Sequence, residues 1–357
     1  MEKRATIKDI AKLAGVSLGS VHCALMGKEG VSKKTRERIL NIAKKIDYRP
    51  NSSAAAIKRK HLQIAAVFPG TGNDNRFFYT GIWQGIRDFF NTVVDLNISC
   101  LEVPYKSKNG YDVNTDEFAG VLESVKPDGL LTLGALDRQG KVFIQPFIEK
   151  NVPVVLATND IPNSGRLCCV QPEYRISGRM LAEFITRQIP GNAGILIWAG
   201  DIKVPSHYLI VEGFDSYMRD RGLLNPLYKV YSSGTKREDG ESISSALREK
   251  KPAACCSVNA RGSVLLGNAV LEAGLAGKIV AVGSDLFKEN LRFLINGVFT
   301  NLLQKNSYML AYVAAKYLVD FLVRDMSPPA DLINVGSEIV FQSNASMFKN
   351  GISQLLL

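Results

Sequence analysis

The chain has 357 residues, 46% hydrophobic and 22% charged, an ordinary globular composition with enough length for two or three domains. Its N-terminus is charged and lacks a signal-like apolar run. Nowhere do about eighteen apolar residues stand together, which argues against a membrane-spanning segment and for a cytoplasmic protein. The net charge is +10 and it is localised: residues 1–60 hold 15 Lys/Arg against 5 Asp/Glu, leaving 29 of each for the remainder. That partition predicts a phosphate-binding head on an electrically neutral body.

Thr6 to Gly27, TIKDIAKLAGVSLGSVHCALMG, reads as two short helices joined by a tight turn. Thr6 and Asp9 form a capping box, Ile10 and Leu13 supply the apolar face, and Gly15 ends the first helix. Ser17 caps the second, where Val21 and Leu25 recur at helical spacing. Ala11, four residues before Gly15, lets the helices cross closely. This is the pattern of a helix-turn-helix. Ser32 caps a third helix whose Ile39, Ile42, Ala43 and Ile46 cover the first two. Pro50 stops it, and Asn51 opens a short alanine-rich segment, SSAAAIKRK.

After Lys60 the pattern alternates. LQIAAVFP leads to RFFYTGIWQGIRDFFNT, and short β-rich runs then alternate with helices to the end of the chain. This predicts an α/β body with parallel sheets covered by helices on both faces, too long for one core and hence two-lobed. The six cysteines include two adjacent pairs and no C-x-x-C, which predicts reduced, mostly buried thiols. No H-E-x-x-H, G-x-S-x-G or Walker loop is present, and Gly70-Thr71-Gly72 lacks the third glycine of a dinucleotide loop. No catalytic residue, metal or cofactor is expected.

Three stretches, TIKDIAKLAGVS at 6–17, VSKKTRERI at 31–39 and YRPN at 48–51, resemble the lactose-repressor (LacI-type) family of bacterial transcription regulators. The resemblance implies a helix-turn-helix head at 1–50, a hinge helix at 51–61, a type I periplasmic-binding-protein-like body at 62–345 and a tail at 346–357. Within the body it implies three crossings between lobes. We place these near 160–163, 288–294 and 322–330, giving an N-lobe of about 62–160 with 293–322 and a C-lobe of about 163–290 with 328–345. The helix SYMLAYVAAKYLVDFLVR would then return to the N-lobe.

By the same resemblance the protein is a homodimeric repressor of a palindromic, double-stranded operator, controlled by a small-molecule effector, a sugar or sugar derivative. Base-reading positions fall on Leu18, Gly19, Ser20, His22 and Cys23. These depart from the family's polar set, so Leu18 suits a thymine methyl while guanine readout by arginine is weakened. Thr6, Ser17, Ser32, Lys33 and Thr35 suit phosphate contacts. Asn51 opens the hinge, Ala54 keeps the hinge pair close, and Ile57 is the minor-groove wedge. Effector positions fall on Asn75, Phe77, Phe78, Asp137, Asp160, His207, Asn259, Asp285 and Gln304, at strand ends facing a cleft. Ile210 stands where the family often has arginine, and Ala260 where it usually has aspartate. The alternatives are a solute-binding protein or an enzyme on the same body.

Overall fold

In the computed structural model, residues 5–25, 29–46, 48, 60–107, 115–134 and 143–351 are described. The head forms its own small core. Helices α1 (Ile7–Ala14), α2 (Leu18–Leu25) and α3 (Lys33–Lys45) bury Ile10, Ala11, Ala14, Val21, Ala24, Ile39 and Ala43 together. Each start is fixed locally. The Asp9 amide donates to Thr6 Oγ1 at 3.3 Å while Asp9 Oδ2 accepts from the Thr6 amide at 2.8 Å. The Ser20 and Thr35 amides donate to Ser17 and Ser32 in the same way. Gly15 takes the left-handed φ of 61° that ends α1. Leu13 departs from expectation: it is 60% exposed. The buried stripe runs through positions 10, 11 and 14, which carries Leu13 to the outer side of α1.

The body contains two six-stranded sheets. The first has the order β11-β5-β4-β3-β1-β2, from β1 (Leu62–Pro69), β2 (Ile98–Tyr105), β3 (Gly129–Leu133), β4 (Val154–Ala157), β5 (Cys168–Pro172) and β11 (Leu332–Val335). The second has the order β12-β10-β9-β8-β6-β7, from β6 (Ile195–Gly200), β7 (Leu227–Tyr231), β8 (Ala254–Ser257), β9 (Val280–Ser284), β10 (Asn301–Gln304) and β12 (Glu338–Val340). Only the β10–β12 pair is antiparallel among the pairings described. The central strands are buried on both faces, as continuous runs such as LLTL and ILIWAG require.

Helices α4 (Arg76–Asn91), α5 (Ala119–Val125) and α6 (Gln145–Glu149) belong to the first lobe. The second lobe holds α7 (Tyr174–Thr186), α8 (Pro205–Asp220), α9 (Lys236–Lys250), α10 (Ala260–Glu272) and α11 (Lys288–Ile295). The long helix α12 (Ser307–Arg324) packs against α4 as expected, with Gly85 beneath the Tyr308 carbonyl.

Sheet membership moves all three expected crossings. β5 lies in the first sheet, where Val155 pairs with Cys168, so the chain leaves that lobe after Pro172 and not at 160–163. β10 lies in the second sheet, so the return comes at 305–306 and not at 288–294. The last crossing follows Val335 and not 322–330, and β11 joins the first sheet before β12 joins the second. For the first crossing the cause is the connection 158–167. Parallel neighbours usually need a helical crossover, so a loop with Pro162 and Gly165 reads as a linker between lobes. Here it folds back instead, with positive φ at Thr158, Asn163 and Gly165 and an ion pair between Asp160 and Arg166.

α7 and α8 cross at glycine contacts. A Cβ on Gly178 would fall on the Ile210 carbonyl oxygen, and one on Gly213 on the Arg175 carbonyl oxygen. Backbone cannot yield as a flexible side chain would. Gly213→Ala should therefore lower unfolding stability by about 1–3 kcal/mol or more in urea titrations; an unchanged midpoint would contradict this packing.

Candidate functional sites

On the head, α2 turns Val21 and Ala24 inward, leaving Leu18, Gly19 and His22 exposed and Ser20 and Cys23 half-buried. Leu18 is 48% exposed. Thr6, Ser17, Ser32 and Lys33 are exposed, and Thr35 is half-buried. The Ser17 and Ser20 hydroxyls lie 3.0 Å apart, so capping is the first use of both. Asn51, Ala54 and Ile57 lie outside the described residues, as does Asp137.

In the body a cavity of ≈ 250 Å³ opens between the two sheets' strand ends. The first lobe contributes Asn75, Phe78, Tyr79, Thr158 and Asn159 among others; the second contributes Tyr174, His207, Ile210, Asn259, Arg261, Asp285 and Lys305. Three lining residues that are not glycine hold positive φ: Asn73 at 52°, Thr158 at 81° and Asp285 at 66°. For β-branched Thr158 that conformation is a true outlier. A strained β-branched residue in its wall is a feature that functional sites carry.

The expected effector residues divide. Asn75, Phe78, His207, Asn259 and Asp285 line the cavity. Phe77 does not: it stacks on Phe287 at 4.7 Å and joins a small buried cluster with Ala260 and Val264, fastening one lobe to the other. Asp160 is engaged by Arg166. Gln304 accepts from the Leu286 amide at 2.8 Å and serves the β9–α11 turn. These three side chains are outside the lining. Trp83, on the same helix, is buried with its indole donating to the Pro69 carbonyl. Sequence reasoning missed Asn159, Arg261 and Lys305. Each lies within two residues of an expected position, Asn159 beside Asp160, Arg261 near Asn259 and Lys305 beside Gln304, so the strand-end signal was usable but pointed to the wrong neighbour.

The second lobe's wall is held by one asparagine. Asn259 Oδ1 accepts from the Gly262 amide at 2.7 Å, capping α10. Its Nδ2 then faces His207 Nε2 at 3.2 Å as donor. Nε2 is then the acceptor and the ring hydrogen sits on Nδ1, which lies 3.1 Å from the Asp201 amide and 3.2 Å from its carbonyl; of the two, an Nδ1–H can serve only the carbonyl. Gly200 makes room, since a Cβ there would press on both His207 and Asn259. Burial, followed by the nearby Lys305 charge, pushes the His207 pKa down to about 3.

Lys305 is 6% exposed. Its ammonium donates to Asp285 Oδ2 at 2.8 Å, to Ser284 Oγ and to the Val258 carbonyl at 3.4 Å. All three donors are thus used within the protein. Asp285 is correspondingly occupied, accepting from the Lys305 amide and the Ser284 hydroxyl as well.

Comparison with known proteins gives two family matches: bacterial regulatory proteins of the lacI family at residues 6–51, and the periplasmic binding protein domain at residues 64–324. Catabolite control protein A of Staphylococcus xylosus is 22% identical over 76% of this chain and 78% of that protein. The HTH-type transcriptional repressor PurR of Histophilus somni is 25% identical over 76% of this chain and 78% of its own length. A glucose-galactose binding protein from Geobacillus stearothermophilus superimposes with a TM-score of 0.65 at 20% identity, covering 80% of this chain and 99% of that one.

The neutral state of His207 has a measurable consequence. In the unfolded chain it titrates near 6.5, in the fold at about 3. Between those values the unfolded state binds more protons, so this residue's contribution to stability falls as pH falls. Relative to wild type, His207→Gln should lose about 1–2 kcal/mol less on going from pH 6.5 to about pH 5 in urea titrations. Parallel slopes for the two proteins would contradict the assignment.

Proposed function

Because the chain belongs to the lacI family of bacterial regulatory proteins, with a periplasmic-binding-protein body, we propose that it is a homodimeric repressor of a palindromic operator, controlled by a sugar. The observation that carries this reading is the cavity between the sheets, lined from both lobes, in a chain whose excess positive charge all lies in residues 1–60. Aromatic Phe78, Tyr79 and Tyr174 beside polar Asn75, Asn159 and Asn259 suit a ring with an apolar face and hydroxyl edges. The resemblance to a glucose-galactose binding protein agrees with that class of ligand.

On DNA, the exposed face of α2 enters the major groove, with Leu18 against a thymine methyl and Ser20 and His22 on polar base edges. Ser17, Ser32, Lys33 and Thr35 meet phosphates. Asn51, Ala54 and Ile57 form the minor-groove device, Ile57 wedging the central base step. The effector binds one conformation of the lobes better than the other and so changes which state meets the operator. A regulator needs no catalytic set, and none is assigned.

Selection of duplexes from a random library tests the DNA-binding part. The account predicts recovery of an inverted repeat bound by two chains, and a sugar that raises the melting temperature of the full-length protein by mass action. Recovery of no shared sequence, or of single half-sites bound by one chain, would contradict it. Ile57→Ala should weaken binding to the recovered duplex by about 1–3 kcal/mol or more while non-specific binding at the same salt stays within about twofold. Equal losses on both would remove the wedge.

A further inference from the structure

We infer that the effector is an acidic sugar whose carboxylate is seated between Lys236 and Arg261, in the place now taken by Asp74 of the opposite lobe. This rests on the cavity being an effector site for sugars. Lys236 is the first residue of α9 and Arg261 the second of α10, so both cations stand where helix N-termini add positive potential. Asp74, from the first lobe, reaches across to them, with Oδ1 at 3.0 Å from Lys236 Nζ and Oδ2 at 3.6 Å from Arg261 Nε.

Arg261 is poorly served by these neighbours. Its Nε is buried without a hydrogen bond. Its other carboxylate contact, Asp239, is 3.4 Å away and already accepts from Ser232 and from the amide and hydroxyl of Ser233. Charge-assisted pairs normally close to about 2.7–2.9 Å, and guanidinium favours a two-pronged carboxylate. A second unmet group belongs to a residue that lines the same cavity. Asn159 Oδ1, on a residue 4% exposed, has no hydrogen-bond partner and lines the cavity. It is an acceptor suited to a sugar hydroxyl. A buried acceptor and a buried donor from opposite lobes, both unmet, call for one ligand carrying both functions.

Charge decides which acid. Lys305 and Asp285 cancel within their own pair. Around the remaining cations stand Asp74 and the buried Asp239, so two positive charges meet two negative ones. A ligand carboxylate that replaces Asp74 keeps that balance. A phosphate ester, carrying about −1.5 to −2 at neutral pH, would leave an excess of negative charge next to the buried Asp239. Exchange also explains how ligand binding could act on the lobes, since the displaced Asp74 contact is one that ties them together.

Calorimetry and thermal shift on the full-length protein test this with D-galacturonate, D-glucuronate, the parent D-galactose and D-glucose, and their 6-phosphates. At least one hexuronate should bind about tenfold or more tighter than its parent hexose. Asp74→Asn should tighten that acid by removing its internal competitor. Arg261→Met should erase the acid's advantage, and Arg261→Lys should restore only part of it. A parent hexose that binds as well as its acid overturns the inference but leaves the sugar reading standing. So does a phosphate that binds best, or an advantage that survives Arg261→Met. If none of these compounds binds, both the inference and the sugar reading fall.

Discussion

The buried ion pair between Lys305 and Asp285 fixes the end of the second sheet at the point where the chain leaves it. Lys305 stands at 305–306, where the chain passes from the second sheet to α12, and Asp285 ends β9 with a positive φ. Burying two charges is costly unless their mutual attraction and further hydrogen bonds offset it. Here Ser284, the Val258 carbonyl and the Lys305 amide complete both groups. The pair therefore fixes the second crossing against the cavity floor and leaves that floor neutral. It also moves Asp285 out of the role of a freely available effector anchor, the role its place at a strand end suggested.

Above that floor the cavity walls are set by capping and by close backbone approach. Asn259 spends its oxygen on α10 and its amide on His207, and Gly200 allows the two side chains to meet. The lobes touch beyond the cavity through Phe77 on Phe287 and through Arg76 with Glu289 at 2.8 Å. Such contacts are exchangeable: partly exposed ion pairs contribute little each, and a ligand making better ones can shift the arrangement. This is the physical requirement for a regulator whose ligand and DNA meet different parts of the chain.

Local features were the most legible in the sequence. The caps at Thr6, Ser17 and Ser32 depend on hydrogen bonds across three residues, and the charge of the head is a matter of counting. Parallel β/α alternation also carried through, because buried strands need continuous apolar runs. Sheet membership did not. A hydrophobic strand such as LCCVQ satisfies either lobe, and its place beside β4 depends on how the 158–167 loop folds back. Likewise Phe77 and Phe78 are indistinguishable in the pattern, yet Phe77 is buried in the interlobe cluster while Phe78 packs at its edge and lines the cavity. Asp160 and Gln304 were reasonable polar candidates at strand ends that found local partners instead. Arg261 and Asn159 stand close to expected positions in the sequence, but their unmet donor and acceptor show only in three dimensions, because these are properties of the surroundings.

The central claim is that one small molecule in the body and one duplex on the head are linked through a single protein. Linkage requires that the effector's affinity change on DNA by the same factor as DNA affinity changes with effector, typically about 5–150-fold. The direct measurement is calorimetric titration of the effector into the protein alone and into the protein saturated with its palindromic duplex. The account predicts two dissociation constants that differ by the factor found when the duplex is titrated with and without effector. Identical constants in the two titrations would contradict it.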